Sequence, residues 1–198
     1  MEKQRDPYIE QIKKDIVFST NLRGRELVFH STWGLFSPRR IDDGSYLLTK
    51  HVELDDDDVT IDIGCGYGSI GVTIAACCPT GYVHMVDKDY VALEYARANA
   101  KLNGLSNCRA YASNAFSAVA ADERFDKVVA NLPAKVGKEM LAIILHDAHA
   151  HLRPGGSIYV VTVTGLRKFI RRNIEGMFGN YRKLKQGKHY TVAMAKRT

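Results

Sequence analysis

The sequence predicts an α/β domain built around a mostly parallel sheet. From residue 59 onward, short apolar runs of strand length alternate with longer stretches of helical period, the pattern that strands joined by crossover helices produce. Glycines gather where the first buried run ends, at Gly64, Gly66 and Gly68. The 198 residues, 45% hydrophobic and 25% charged, suit a single domain with a substantial core. Residues 1–55 are expected as a short β/α extension packed on a core of residues 56–198.

In chain order, residues 7–16 suggest a short helix. Residues 26–37 suggest two extended runs around a bend at Thr32-Trp33-Gly34, and residues 43–52 a helix capped by Asp43 or Ser45. The acidic run Asp55–Asp58 is expected as a solvated turn rather than a metal site. VTIDIG (59–64) is a buried strand and residues 68–78 a helix. Residues 81–87 form a strand, and 89–103 a helix closed by Gly104. Residues 107–112 and 125–131 are strands. Residues 136–152 form an amphipathic helix that Arg153-Pro154-Gly155-Gly156 stops, because proline cannot continue it. A fifth strand (157–163), a basic helix (165–177) and a closing antiparallel pair around Gln186-Gly187 bring the sheet to seven strands.

Charge is unevenly placed. Residues 166–198 hold ten Lys/Arg against one acid, Glu175, so this segment carries +9 of a chain total of +6 and the remainder is −3. A basic end on a near-neutral body suits a polyanionic partner, nucleic acid first, or else a solvated face. Cys65, Cys77, Cys78 and Cys108 form no C-x-x-C pair, which argues against a zinc ribbon and for a reducing compartment. His146, His149 and His151 suit a helix end better than a metal site, and no metal is expected. The charged N-terminus does not resemble a signal peptide, and no apolar run is long enough for a membrane helix. A cytoplasmic protein without membrane contact is expected, as monomer or homodimer.

Asp62-Ile63-Gly64-Cys65-Gly66-Tyr67-Gly68 lies where a buried strand gives way to a helix. Glycines there permit a sharp turn and close approach of a ligand, and the helix start offers free N–H groups. The loop suits a dinucleotide or the amino-acid part of S-adenosyl-L-methionine. Asp87, at the end of the second strand, is placed to accept both ribose hydroxyls of an adenine nucleoside. Gly66-x-Gly68-x-x-Gly71 also fits the nicotinamide-dinucleotide fingerprint. Against a dehydrogenase, Asp62 sits inside the strand, where it can meet the ammonium of a cofactor methionine, and the turn starts already at Gly64.

Asn131-Leu132-Pro133-Ala134 follows the fourth strand, at the sheet end where ligands bind. An aromatic amine is a poor nucleophile because its lone pair is delocalised. Two acceptors on its N–H groups position the nitrogen and favour its developing positive charge. The Asn131 side-chain oxygen and the Leu132 carbonyl are such acceptors, and Pro133 holds Leu132 extended. In-line methyl transfer then depends mainly on positioning and electrostatics.

These motifs in this order resemble the methyltransferase small domain family of Rossmann-like class I methyltransferases, which includes ribosomal RNA guanine-N2 methyltransferases. The resemblance spans about residues 26–197. It rests on Leu35-Phe36-Ser37, Asp43-Gly44-Ser45, DIGCGYGSIG (62–71), Asp87, ARANAKLNGL (96–105), SNAFS (113–117), NLPAKVGKE (131–139), HLRPGG (151–156) and Phe178-Gly179. It implies S-adenosyl-L-methionine as cofactor, held by Phe36, Ser37, Gly44, Ser45, Asp62, Gly64, Cys65, Gly66, Tyr67, Gly68, Asp87, Lys88, Asn114 and Ala115. It implies catalysis at Asn131, Leu132 and Pro133 on a base amine, guanine-like, in ribosomal or transfer RNA.

The chain departs from the family at three places. Asn114 stands where an Asp usually binds the adenine amino group, and keeps one acceptor without the charge. Leu132 and Ala134 stand where the family has Pro and an aromatic; Ala134 removes a ring that would stack on the base, and Tyr67, Phe36 or Trp33 is left to supply one. Arg39, Arg40, Lys135 and Lys138 are candidate phosphate contacts. The alternatives are a methyltransferase for protein glutamine or a small molecule, and a non-catalytic RNA-binding module.

Overall fold

A computed structural model describes residues 6–198. Helix α1 (Pro7–Ile12) begins with proline at its first position, and the Asp6 carboxylate accepts the Tyr8 N–H at 2.9 Å. It is shorter than the expected helix over 7–16, because Ile16 already belongs to a strand. β1 (Ile16–Leu22) and β2 (Arg25–Ser31) form an antiparallel hairpin. Its two-residue turn places Arg23 and Gly24 at φ +54° and +77°, matching the natural twist of paired strands. The bend expected at residues 32–34 is therefore not the hairpin turn; those residues open the loop that follows. β1 escaped detection because IVFSTNL carries its polar residues on a half-exposed face.

α2 (Asp43–His51) leads into the main sheet, whose order is β5-β4-β3-β6-β7-β9-β8. β3 (Val59–Ile63), β4 (Tyr82–Asp87), β5 (Cys108–Ala112), β6 (Phe125–Asn131) and β7 (Leu152–Val163) run parallel. β9 (Tyr190–Lys196) is antiparallel to β7, and β8 (Arg182–Gln186) to β9. The expected seven strands and closing hairpin are all present. Between them run α3 (Ser69–Cys77), α4 (Tyr90–Leu102), α5 (Gly137–His151) and, after a 3-10 turn at Thr164–Leu166, α6 (Arg167–Phe178).

The RPGG segment does not work as expected. α5 ends at His151 and β7 starts at once at Leu152, with an irregularity in its pairing opposite Phe125–Lys127. Gly155 N–H donates to the Arg197 carbonyl at 2.8 Å, so residues 153–156 form a bulge within the strand. Asp58 also departs from a solvated turn. It is buried, accepts the Asp55 N–H at 2.8 Å and lies 3.3 Å from Lys127 Nζ; burial raises its pKa.

The sheet separates two apolar layers. One packs the hairpin, α2, α3 and α4 through Phe29, Leu48, Val72, Leu93 and Val129; the other packs α5 and α6 through Val128, Leu145, Ile158 and Ile174. Adjacent Val128 and Val129 face opposite layers, as the period of two requires. Asn99 on α4 and Asn103, the residue that caps its C-terminus one turn on, bind the edge of β2 that β1 leaves unpaired. Asn99 accepts the His30 N–H at 2.7 Å and donates to the His30 carbonyl at 2.9 Å; Asn103 does the same at Val28, at 2.9 and 2.8 Å. Two side-chain amides thus replace a missing strand and satisfy backbone groups that would otherwise cost free energy. Among the described residues no helix is long and apolar enough to cross a membrane.

Candidate active site

The chain runs β3, β4, β5 outward on one side of the sheet, then returns to β6 on the other side of β3. The carboxyl ends of β3 and β6 therefore flank the topological switch point, where open α/β sheets leave a crevice for ligands. The glycine loop leaves β3, and Asn131 ends β6. Topology brings together two segments nearly seventy residues apart.

The loop is shaped by three left-handed residues, Gly64, Gly66 and Gly68, at φ +71°, +56° and +91°. Side chains adopt this region at a cost, so glycine is favoured at each. The turn does start at Gly64, whose N–H and that of Cys65 both donate to the Val86 carbonyl, at 2.8 and 3.0 Å. Asp87 accepts the Gly66 N–H at 2.9 Å with one oxygen and the Asp89 N–H at 3.0 Å with the other. Its carboxylate is fixed beside the loop before any ligand arrives. Lys88 and Asn114 are exposed, and Ala115 holds φ +53°.

Asp62 is fully buried. One oxygen accepts the Gly71 N–H at 2.8 Å; the other, Oδ1, has no partner among the described residues. Burial drives its pKa up to about 7, the Gly71 bond opposing and the Asp87 charge adding to the rise. A buried carboxylate oxygen left orphaned at the ligand crevice calls for a cation. The space over Gly64 and Gly66 is open. Both features fit the ammonium and amino-acid part of S-adenosyl-L-methionine. Asp62 would hold the ammonium, and the glycine loop and Asp87 the remainder of the amino acid and ribose.

At the other wall, Asn131 Nδ2 donates to Asp42 Oδ2 and to Ser45 Oγ, both at 2.9 Å. Asp42 caps α2 through the Ser45 N–H at 3.0 Å and accepts the Tyr190 hydroxyl at 2.9 Å on its other oxygen. An ionised carboxylate offers only acceptors. It therefore compels Asn131 to present its NH2 inward, which leaves Oδ1 for a substrate. Leu132 is buried, with its N–H donated to the Val161 carbonyl at 2.9 Å. Its own carbonyl meets no donor among the described residues, and Pro133 and Ala134 are exposed. Sequence reasoning missed Asp42 and Tyr190. The spacing from Asp42 to Ser45 is that of a helix cap to its third residue, a signal read one residue late. Tyr190 lies 148 residues from Asp42, and no local pattern announces it.

The loop from 36 to 41 spans the two walls. Tyr67 OH lies 3.3 Å from both the Ser37 and Arg40 carbonyls, and Ser37, at φ +48°, donates its hydroxyl to the Arg40 carbonyl at 2.7 Å. The Tyr67 ring is buried against Phe18 and Phe29 and cannot stack on a base. Burial raises its pKa and keeps the hydroxyl a donor. Trp33 lies under Arg39, 4.6 Å from guanidinium to ring. Phe36 is 67% exposed, the freest of the three rings. Gly44 and Ser45 back the Asn131 anchor: a Cβ on Gly44 would stand 2.8 Å from Asp42 Oδ2 and 3.0 Å from the Tyr190 ring. Cys65 is buried, and burial raises its thiol pKa. Arg39, Arg40, Lys135 and Lys138 are exposed. His149 and His151 pack on the rings of Phe178 and Phe116.

The turn opening at Gly64, the buried Asp62 within β3, the acid at the end of β4 and the antiparallel β9 beside β7 are those of a class I S-adenosyl-L-methionine-dependent methyltransferase. More narrowly, the chain belongs to the methyltransferase small domain family, whose model matches residues 26–194. It is 31% identical to the uncharacterized protein YbxB of Bacillus subtilis, over 91% of this chain and 90% of that one. It is 30% identical to ribosomal RNA small subunit methyltransferase C of Hamiltonella defensa, covering 82% of this chain and 48% of the relative. In structure it resembles the 16S rRNA N2 G1207 methyltransferase of T. thermophilus, solved with AdoMet and guanosine. The TM-score is 0.84 at 27% identity, over 93% of this chain and 51% of the other. The chain thus spans about half the length of these named ribosomal RNA methyltransferases.

Proposed function

We propose that the protein transfers a methyl group to an exocyclic base amine, guanine-like, in ribosomal or transfer RNA. The observation that carries this reading is Asn131, its amide nitrogen held by Asp42 and Ser45 so that its side-chain oxygen is left without a donor among the described residues, beside the free Leu132 carbonyl. The likeness to a guanine-N2 methyltransferase solved with guanosine supports it. When bound, S-adenosyl-L-methionine would supply an electrophilic methyl group for the acceptor nitrogen, its sulfonium leaving as the thioether. Asn131 Oδ1 and the Leu132 carbonyl each hold one N–H of the amine, so its lone pair points along the transfer axis and its growing positive charge meets two dipoles. The amine proton leaves to solvent after transfer. Phe36 offers the face that Ala134 lacks. Of the extension expected over residues 1–55, the described residues 6–55 belong in this reading to one catalytic domain, since hairpin side chains share a core with α3 and α4.

The test is methyl labelling of total RNA by the purified protein, followed by nucleoside analysis, beside Asn131→Ala. Label in an N-methylated base, lost in the variant, supports the reading. Nuclease-resistant label on protein or small molecules moves the acceptor to an amide or a free metabolite. Cofactor binding with no label in any fraction points to a binding module.

A further inference from the structure

The ten basic residues after position 166 look alike in sequence, but the topology sorts them by distance from the crevice. β9 runs antiparallel to β7, so the β8–β9 turn returns to the carboxyl end of the parallel strands. Asn131 pairs with Val161, Val161 with Val192, and Val192 with Lys185. Lys185 therefore lies in the same row as Asn131, three strand spacings or about 14 Å away. Thr164, at the end of β7, donates its N–H to the His189 carbonyl at 2.9 Å and its hydroxyl to the Lys188 carbonyl at 3.1 Å. This ties Lys188 to the start of α6, where Arg167 and Lys168 stand.

At the other end of the sheet, Lys196 pairs with Ser157, roughly 20 Å down β9 from Tyr190. Of the basic residues there, Arg197 donates to the Ala150 and Leu152 carbonyls; Arg182, opposite Met194 and so between the two ends, pairs with Glu53 at 2.6 Å. Among the described residues, Arg167, Lys168, Lys185 and Lys188 meet no carboxylate within ion-pair distance; Arg172, Lys183 and Lys196 meet none either, so position beside the crevice, not pairing alone, distinguishes the four.

We infer that Arg167, Lys168, Lys185 and Lys188 form the phosphate-binding rim that seats the RNA backbone, while the far-end cations Lys196 and Arg197 do not touch it. The inference rests on RNA being the substrate. Four uncompensated charges beside the crevice fit a chain of phosphates, whose condensed counterions are released as each contact forms. A rim that touches phosphates alone positions the strand without reading its sequence.

The test uses the full-length protein, a short fluorescein-labelled single-stranded RNA of mixed sequence, and anisotropy titrations across a salt series. Three double variants are compared: Lys185→Ala/Lys188→Ala, Arg167→Ala/Lys168→Ala and, at the far end, Lys196→Ala/Arg197→Ala. Calorimetry with S-adenosylhomocysteine verifies that each variant retains its fold and cofactor site. Each rim double is expected to bind RNA roughly tenfold more weakly at 0.1 M salt, with the slope of log K against log salt flatter by about 1.5. The far-end double is expected to match the parent. Equal losses at both ends, or rim doubles with the parental slope, overturn the inference and leave RNA methylation standing. A parent protein that binds no RNA yet labels protein or small molecules overturns the RNA reading and the rim with it.

Discussion

Replacing Asp42 with asparagine changes one charge and almost no volume, and it isolates the carboxylate's hold on Asn131. The cap on α2 survives, since asparagine caps a helix about as well as aspartate. What is lost is the compulsion on the Asn131 amide. In the parent, flipping that amide would set its oxygen against Asp42 Oδ2 and break the 2.9 Å bond to it, whereas the Ser45 hydroxyl can turn to serve either orientation. The bond to the charged group is worth about 1.5–3 kcal/mol, so the productive orientation dominates. The amide that Asp42→Asn introduces can present either oxygen or nitrogen, and it no longer polarises Asn131 toward a more negative Oδ1. A loss of about 1.4 kcal/mol of transition-state stabilisation lowers kcat roughly tenfold. The assay is steady-state methyl transfer to RNA, with denaturant melts and S-adenosylhomocysteine titration in parallel. Stability within about 1 kcal/mol of the parent, unchanged cofactor affinity and a tenfold drop in kcat are expected. Full kcat in Asp42→Asn would refute the reasoning, because Asn131 would then need no fixed orientation.

Burial raises Asp62 to about 7, so in the ligand-free protein it contributes stability below its unfolded value near 4. That contribution is lost as pH rises through 7. An ammonium ligand needs the ionised form, so S-adenosylhomocysteine should bind about tenfold more tightly at pH 8 than at pH 6; a calorimetric series that is as steep in Asp62→Asn as in the parent would remove Asp62 from the site. A Cβ at Gly71 would stand 2.4 Å from Met85 Cγ and 2.7 Å from its sulfur. Gly71→Ala should therefore cost about 1–3 kcal/mol in urea unfolding, and an unchanged midpoint would show that Met85 moves aside freely. Phe36→Ala should raise KM for RNA with cofactor affinity intact, whereas Phe36→Tyr keeps the parental KM; equal KM in both variants denies the ring a stacking role. Asn99 also donates to the Tyr67 carbonyl at 2.9 Å, so Asn99→Ala should lose about 2–4 kcal/mol of stability and weaken cofactor binding together, as melts and titration will show.

Much of the fold was legible in the sequence because its signals are local. Buried parallel strands read as short apolar runs, and the left-handed backbone at Gly64, Gly66 and Gly68 admits little but glycine, so loop and chain order carry the family and its cofactor. β1 was not legible, since a half-exposed strand with polar residues on its open face lacks the apolar run that marks a buried one. The role of ARANAKLNGL was also hidden: Asn99 and Asn103 look like ordinary polar helix residues until β2 lies beside them. At the site, the sequence offered Asn131 and Leu132 as acceptors but held no reason for the amide to face one way. That orientation comes from Asp42, Ser45 and Tyr190, drawn from α2 and β9. Only the tertiary structure decided it, because side-chain direction depends on partners that the chain brings together across as many as 148 positions. The sheet likewise divided one uniform basic segment into a rim beside the crevice and a remote end. Charge is a property of the sequence, whereas its distance from the reacting atom belongs to the fold.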